Sequence, residues 1–298
     1  MSILDFFDKV ADFAIKNEGN INKAISYLKK YGYLRKEVKS VEDLLLVINK
    51  FQSISGINQT GILDGQTLRI MDYPRCSLPD IYEDEDIVEN ASDFAKWGKK
   101  ELNYFIASTD GDMSKELWFA TIKKAFDNIS AICGLTFTQV NSLSQSNLVL
   151  DTGRGRSDDF DGSSGTLAWF QLPTTSNFMG RLSGKFDLDE FWLGNGQSGR
   201  GIYLLNVATH EICHGLGLRH SKVNSALMAP IYSPSIAVPQ QNDDIPRLQN
   251  LYGKPVVSKP NPEPEPTPPP KDSKTTIISI NGNVESISIP GYRITKIS

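Results

Sequence analysis

His210-Glu211-Ile212-Cys213-His214-Gly215-Leu216-Gly217-Leu218-Arg219-His220 is the stretch from which the rest of the chain is read. On a helix, His210 and His214 lie one turn apart on the same face, a spacing that lets two imidazoles grip one metal ion. Glu211 stands beside the first of them and can reach a water on that ion. Gly217 can take the backbone conformation that ends a helix and turns the chain, so that His220 returns as a third ligand. Three histidines leave one tetrahedral position open for water, which is the pattern of a catalytic zinc site rather than a closed structural one. The bland alternative is three unrelated histidines. The chain holds three in all, and every one of them is in this stretch.

The composition narrows the class. The chain has 298 residues, 39% of them hydrophobic, and a net charge of −4, enough apolar material for real cores and no basic footprint for nucleic acid. No apolar run is long enough to span a bilayer. Residues 3–17 mix apolar side chains with Asp5, Asp8, Lys9 and Asp12, so the start reads as an amphipathic helix and no signal peptide is visible. Three cysteines, Cys76, Cys133 and Cys213, are too few for a disulfide framework; Cys133 and Cys213 are expected to be buried free thiols.

Outward from the motif, helical periodicity predicts helices at 3–17, 21–31 and 41–54, the last with Ser40 and Asp43 in a capping-box spacing. A short helix is expected at 64–71. Pro74-Arg75-Cys76-Ser77-Leu78-Pro79-Asp80 follows, two prolines holding the backbone extended around a cysteine. The acidic stretch from Tyr82 to Asp93 reads as an exposed, cleavable linker. Beyond it the spacing predicts strands at 102–108, 135–140, 147–151 and 165–172, a helix over 117–133, mostly loop over 173–199, the motif helix at 201–216, and a last helix at 243–252 capped by Asp243 or Asp244. A Pro-rich linker and a hairpin-like tail complete the chain.

These features together resemble the matrix metalloproteinases (matrixins), whose long zinc motif is that of the metzincin clan. The resemblance runs from about residue 20 to 253. It includes Ser221 after the last histidine, Ala226-Leu227-Met228-Ala229-Pro230-Ile231-Tyr232, Asp243-Asp244-Ile245 through Leu251-Tyr252-Gly253, and upstream Tyr27-Leu28-Lys29-Lys30-Tyr31-Gly32-Tyr33 and the heptapeptide 74–80, where Ser77 replaces the usual Gly. It implies an α+β fold: a metzincin catalytic domain with a twisted, mostly parallel sheet and helices around a zinc cleft, preceded by a small helical prodomain. The domains are then 1–80 prodomain with a cysteine switch, 81–96 acidic cleavable linker, 97–253 catalytic domain, 254–274 Pro-rich linker and 275–298 β-prone tail. No hemopexin-like domain fits after Gly253.

The resemblance implies a latent zinc-dependent endopeptidase. His210, His214 and His220 would bind zinc, Glu211 would be the catalytic proton carrier, and Cys76 would close the site until the prodomain is removed. Met228 would form the Met-turn floor. Ala168 would lie on the edge strand that pairs with a substrate, while Pro230 and Tyr232 would line a pocket for an apolar side chain after the cut bond and Asn206 would bear on its depth. Asp161, Asp187 and Glu190 match the carboxylates of a calcium site, completed by Gly162, Ser164 and Thr166. The family's second, structural zinc is not expected: Arg154, Arg156, Trp169 and Lys185 stand where its ligands would be, and a charged Arg or Lys cannot bind zinc. The implied partners are protein or peptide substrates, with no nucleic acid and no transmembrane segment, and the protein is expected to be a monomer outside the cell or at its surface. Two other readings stay open, an exopeptidase or amidase using the same zinc chemistry, and a catalytically weak or regulatory peptide-binding protein on a metzincin fold.

Overall fold

A computed structural model describes residues 18–35, 40–82 and 95–255. The expected helix 3–17, most of the acidic linker, and nearly all of the Pro-rich linker and tail lie outside the described residues. Two hydrophobic cores form. The smaller belongs to residues 24–81 and is built by α1 (Glu18–Lys30), α2 (Val41–Ile54) and α3 (Gly65–Met71). Ala24 and Leu28, one turn apart on α1, meet Ile48 and Phe51 of α2. Phe51 is fully buried, worth roughly 1.5–3 kcal/mol of transfer free energy. Ser40 Oγ accepts from the Asp43 N–H (3.1 Å), and Asp64 Oδ1 accepts from the Thr67 N–H (2.8 Å), so each short helix starts on a side-chain cap. A polar hub ties the connecting loop: the buried Gln52 amide donates to Thr60 Oγ1, Ile62 O and Thr67 Oγ1 and accepts from the Gly61 N–H.

The larger core fills residues 97–252. Its sheet has the strand order β1-β5-β6-β4-β2-β3, with β1 (Arg75–Cys76), β2 (Glu101–Ile106), β3 (Thr136–Gln139), β4 (Leu148–Gly153), β5 (Thr166–Phe170) and β6 (Leu182–Asp187). All neighbours are parallel except β5 with β6. β7 (Trp192–Leu193) pairs with β8 (Ile202–Tyr203) in a separate ribbon. The expectation of mostly loop over 173–199 is therefore incomplete, because β6 sits in the middle of the sheet and β7 follows it. α4 (Lys115–Ser130) buries Trp118, Ile122, Phe126 and Ile129 on one face, and α5 (Leu204–Gly215) is buried along nearly its whole length.

The last helix, α6 (Asp244–Tyr252), departs from the expected capping. Asp243 occupies the cap position without a side-chain cap bond. Asp244, buried, instead accepts from the backbone N–H groups of Leu227 (2.8 Å), Met228 (3.1 Å) and Gln240 (2.8 Å). The carboxylate thus pins the turn containing Met228 under α5.

Candidate metal centre

α5 carries His210, Glu211 and His214. The His210 Nδ1–H donates to Leu227 O (2.7 Å) and the His214 Nδ1–H to Leu218 O (2.6 Å). A carbonyl can only accept, so both rings are fixed in the tautomer whose Nε2 lone pair faces inward. The two Nε2 atoms lie 3.0 Å apart. The helix then stops. Gly217 takes φ +102°, and a Cβ there would lie 2.1 Å from Ala95 O, so only glycine turns the chain at this point. Beyond the turn the Ser221 N–H donates to Met228 O (2.8 Å), binding the segment of His220 to the Met228 turn, where Met228 itself is fully buried.

The smaller N-terminal unit supplies a fourth donor. Cys76 Sγ is 3.4 Å from His214 Nε2. Cys76, His210, His214 and His220 each offer a ligand atom, and these atoms all lie within 4.8 Å of one another. The peptide holding Cys76 is laced on both sides. On one, the Arg75 N–H donates to Gly165 O and the Ser77 N–H to Ala168 O (both 3.0 Å), pairing β1 with the outer edge of β5. On the other, the Cys76 N–H donates to Pro230 O (3.3 Å) and the Tyr232 N–H to Pro74 O (2.9 Å).

Burial sets the electrostatics. It pushes Glu211 up to about 8 and, with His220 nearby, pushes His210 down to about 3; His214 and His220 are lowered for the same reason. Burial and the Glu211 carboxylate push the Cys76 thiol well up. Neither carboxylate oxygen of Glu211, nor His220 Nε2, has a hydrogen-bond partner. Orphaned buried donors and acceptors of this kind are expensive unless something else engages them. Three imidazole nitrogens and a thiol, converging and held neutral, are a donor set that fits Zn²⁺.

Arg75 and Asp80 pair in the interior of the same peptide, with Nη1 3.1 Å from Asp80 Oδ2. The Arg75 guanidinium lies 3.4 Å from the centroid of the Tyr31 ring, and Nη1 also donates to the Tyr27 hydroxyl (2.6 Å). Asp80 Oδ1 lies 2.9 Å from His220 Nδ1, so a prodomain carboxylate backs a histidine of the cluster. Burial works against the Asp80 charge, yet Arg75 and His220 hold it well below the usual carboxylate range. The tyrosine platform and the Asp80–His220 contact went unread in the sequence, because they join residues 44 to 140 positions apart.

Beside the cluster lies a pocket of about 370 Å³ of empty volume, open solvent included, whose lining includes Leu167, Val207, Pro230, Tyr232 and Ile236. Tyr232 Oη accepts from the Tyr203 N–H (3.0 Å). The Asn206 side chain donates to Ser233 O and Pro234 O (both 3.1 Å). Ala168 is buried in β5.

Away from the cluster, Asp161 Oδ1 accepts from the Thr166 N–H (2.7 Å) and Glu190 Oε1 from the Ser164 N–H (2.6 Å). Gly162 and Ser164 both have positive φ. Asp187 Oδ2 is buried without a partner. Burial first, then the neighbouring carboxylates, raises both Asp187 and Glu190 above their usual values. Of the four positions that lack ligand chemistry, Lys185 pairs with Asp158, the Trp169 indole donates to Asp158 O (2.8 Å), and Arg154 Nε lies 3.1 Å from Asp189 Oδ1, while Arg156 is exposed.

The mixed sheet, the buried helix with two histidines, the glycine turn and the third histidine define a metzincin zinc cleft. The sequence model of the matrixin family matches residues 96–253, and the chain belongs to that family. It is 31% identical over 261 residues to matrix metalloproteinase-25 of Mus musculus, covering 81% of this chain and 42% of that protein. It is 32% identical over 241 residues to matrix metalloproteinase-19 of Homo sapiens (77% and 45%), and 31% identical over 247 residues to the hatching enzyme of Paracentrotus lividus (80% and 39%). The chain thus spans less than half the length of these relatives.

Proposed function

We propose that the chain is a latent zinc endopeptidase, cutting protein or peptide substrates before an apolar residue and held inactive by Cys76. The observation that carries this reading is the convergence of Cys76 with His210, His214 and His220 beside an unpartnered Glu211. His210, His214 and His220 would hold the zinc, whose chemistry when bound is that of a Lewis acid toward a carbonyl oxygen and a water. Glu211, buried beside His210, would accept the proton of the attacking water and pass it to the leaving amine. The β5 edge around Ala168 and the 230–232 segment offer an extended peptide the backbone groups that β1 now engages. Pro230 and Tyr232 shape the apolar pocket, Asn206 braces its wall, and Met228 floors the cluster.

Asp161, Asp187 and Glu190, with carbonyls near Gly162, Ser164 and Thr166, would hold calcium. The partnerless buried oxygen of Asp187 and the raised carboxyls of Asp187 and Glu190 support it. The protein would work as a monomer outside the cell or at its surface; among the described residues no helix is long and apolar enough to cross a membrane.

The test is hydrolysis of a quenched peptide with an apolar residue after the cut bond, using protein freed of roughly its first ninety residues. Activity should appear with about one zinc per chain, and Glu211→Ala should abolish it. Zinc-loaded, processed protein that leaves such peptides intact would sink the reading.

A further inference from the structure

The segment between β4 and β5 is drawn together by one carboxylate. Asp158 sits at the end of a 3₁₀ turn, Arg156–Asp158. Its Oδ1 pairs with the Lys185 ammonium on β6, its Oδ2 accepts from the Arg154 N–H (3.0 Å), and its main-chain carbonyl accepts from the Trp169 indole on β5 (2.8 Å). Trp169 and Lys185 are directly opposite one another in the β5–β6 register, so their side chains leave the same face of the sheet side by side. Arg154 extends the stitch, donating to Leu188 O (2.8 Å) and pairing with Asp189. The end of β4 is shaped to receive this group. A Cβ on Gly153 would lie 2.7 Å from Asp158 Oδ2 and 2.8 Å from its Cγ, so any larger residue would push the carboxylate out.

We propose that Asp158 is a positioning residue that fixes the 154–159 segment to β5 and β6 without a zinc ion, and so sets the β5 edge against which an extended peptide docks. Lys185 of β6, Trp169 of β5 and the Arg154 backbone just after β4 converge on it, with opposite charge, a ring donor and a backbone donor. Lys185 and Trp169 are residues that cannot ligate zinc, and here they have a common partner that does the tying instead. The edge they control begins one residue from Trp169, at Ala168, whose carbonyl already takes a backbone N–H from the switch peptide. Through this chain of contacts Asp158 acts on docking, not on the reacting atoms.

The kinetic arm of the test rests on the endopeptidase reading; the exchange arm does not. In the full chain, with calcium kept in excess, amide hydrogen exchange over residues 154–159 is followed before and after zinc is removed by a zinc-selective chelator. In the native protein, protection there should survive chelation. Asp158→Asn, which removes charge, and Gly153→Ala, which displaces the carboxylate, should each lower it by about tenfold. After limited proteolysis between residues 83 and 94, Asp158→Asn and Lys185→Met should each raise KM about fivefold with kcat within about twofold, and the double variant should be no worse than either single one. Native protection that collapses on chelation, unchanged exchange in both Asp158→Asn and Gly153→Ala, or a fall in kcat with KM unmoved would each overturn the proposal. If the native protein cuts no peptide, the endopeptidase reading fails while the exchange result still decides this one.

Discussion

Two regions of the molecule face the same problem, how to lock segments from separate elements around one point, and solve it with opposite chemistry. At the zinc cluster, the donors come from α5, the chain after Gly217 and the prodomain, all of them buried and pushed by that burial toward neutral forms. Around Asp158, the partners are the Lys185 ammonium, the Arg154 backbone N–H and the Trp169 indole, at the margin of the sheet where water still reaches the pair. The first arrangement leaves polar atoms unmatched until a cation arrives. The second is complete as it stands. The difference teaches that a site waiting for a metal is recognisable by what it leaves unsatisfied, whereas the group around Asp158 closes its charges and dipoles on each other.

The sharpest way to break this comparison is at the cluster. His214→Ala should reduce bound zinc to a small fraction of one per chain and lower peptide hydrolysis by about a thousandfold or more, read by metal analysis and a fluorogenic assay. If zinc stays bound at full stoichiometry, the cluster is not its site. Next in size is the ion pair that holds the switch. Asp80→Asn leaves the Arg75 guanidinium buried without its counter-charge, so prodomain docking should weaken by about 3 kcal/mol, seen as earlier proteolytic loss of the prodomain. The sign with pH follows from the lowered Asp80 value. A depressed carboxyl contributes its full stability above its unfolded pKa of about 3.9, and that contribution is lost as pH falls below it toward the folded value. Acid-induced release of the prodomain should therefore begin below about pH 4 in the native chain and show a flatter acid limb in Asp80→Asn. Identical acid limbs below pH 4 in the native chain and Asp80→Asn would contradict this.

Smaller effects sharpen the other side. Asp187→Asn should remove most of any calcium-dependent rise in Tm while leaving the Tm in chelator nearly unchanged; an equal calcium response in both proteins would show that the carboxylates bind no calcium. The smallest is Trp169→Phe, which deletes only the indole bond to Asp158 O. A loss of about 1 kcal/mol, a few degrees in Tm, is expected, with zinc content unaltered. A loss of zinc in that variant would mean the two regions are not independent.

The sequence was most informative where one local pattern had one physical meaning. The i, i+4 histidines could share only a helix face, and the Ser40 and Asp64 caps began helices at nearly the predicted positions. β6 was harder. Its buried positions alternate as Leu182, Gly184 and Phe186, but the middle one has no side chain and so erases the apolar period. The structure shows why: a Cβ at Gly184 would lie 2.2 Å from the Phe170 ring, so glycine is what lets β5 and β6 close. Asp158 was equally silent, since its partners Trp169 and Lys185 are 11 and 27 positions away and become neighbours only through the β5–β6 register. The cap expected from Asp243 or Asp244 is made by neither, although a helix-start aspartate usually makes one: Asp243 forms no side-chain cap bond, and the Asp244 carboxylate faces the Met228 turn instead.

The placement of the two ends around residues 83–94 has one further consequence. Tyr82 lies with its ring 4.2 Å from the Arg219 guanidinium, and Ala95 O rests against Gly217, so both ends of the joining segment are fixed to the neighbourhood of the third histidine. If the 74–80 peptide occupies the metal site as proposed, it is an intramolecular ligand whose effective concentration, for a short tether, is on the order of millimolar. One cut between those ends breaks none of the contacts around Cys76. On the latent-enzyme reading it would change a tethered group into a free one subject to dilution, so the fraction active after cleavage should fall as protein concentration rises.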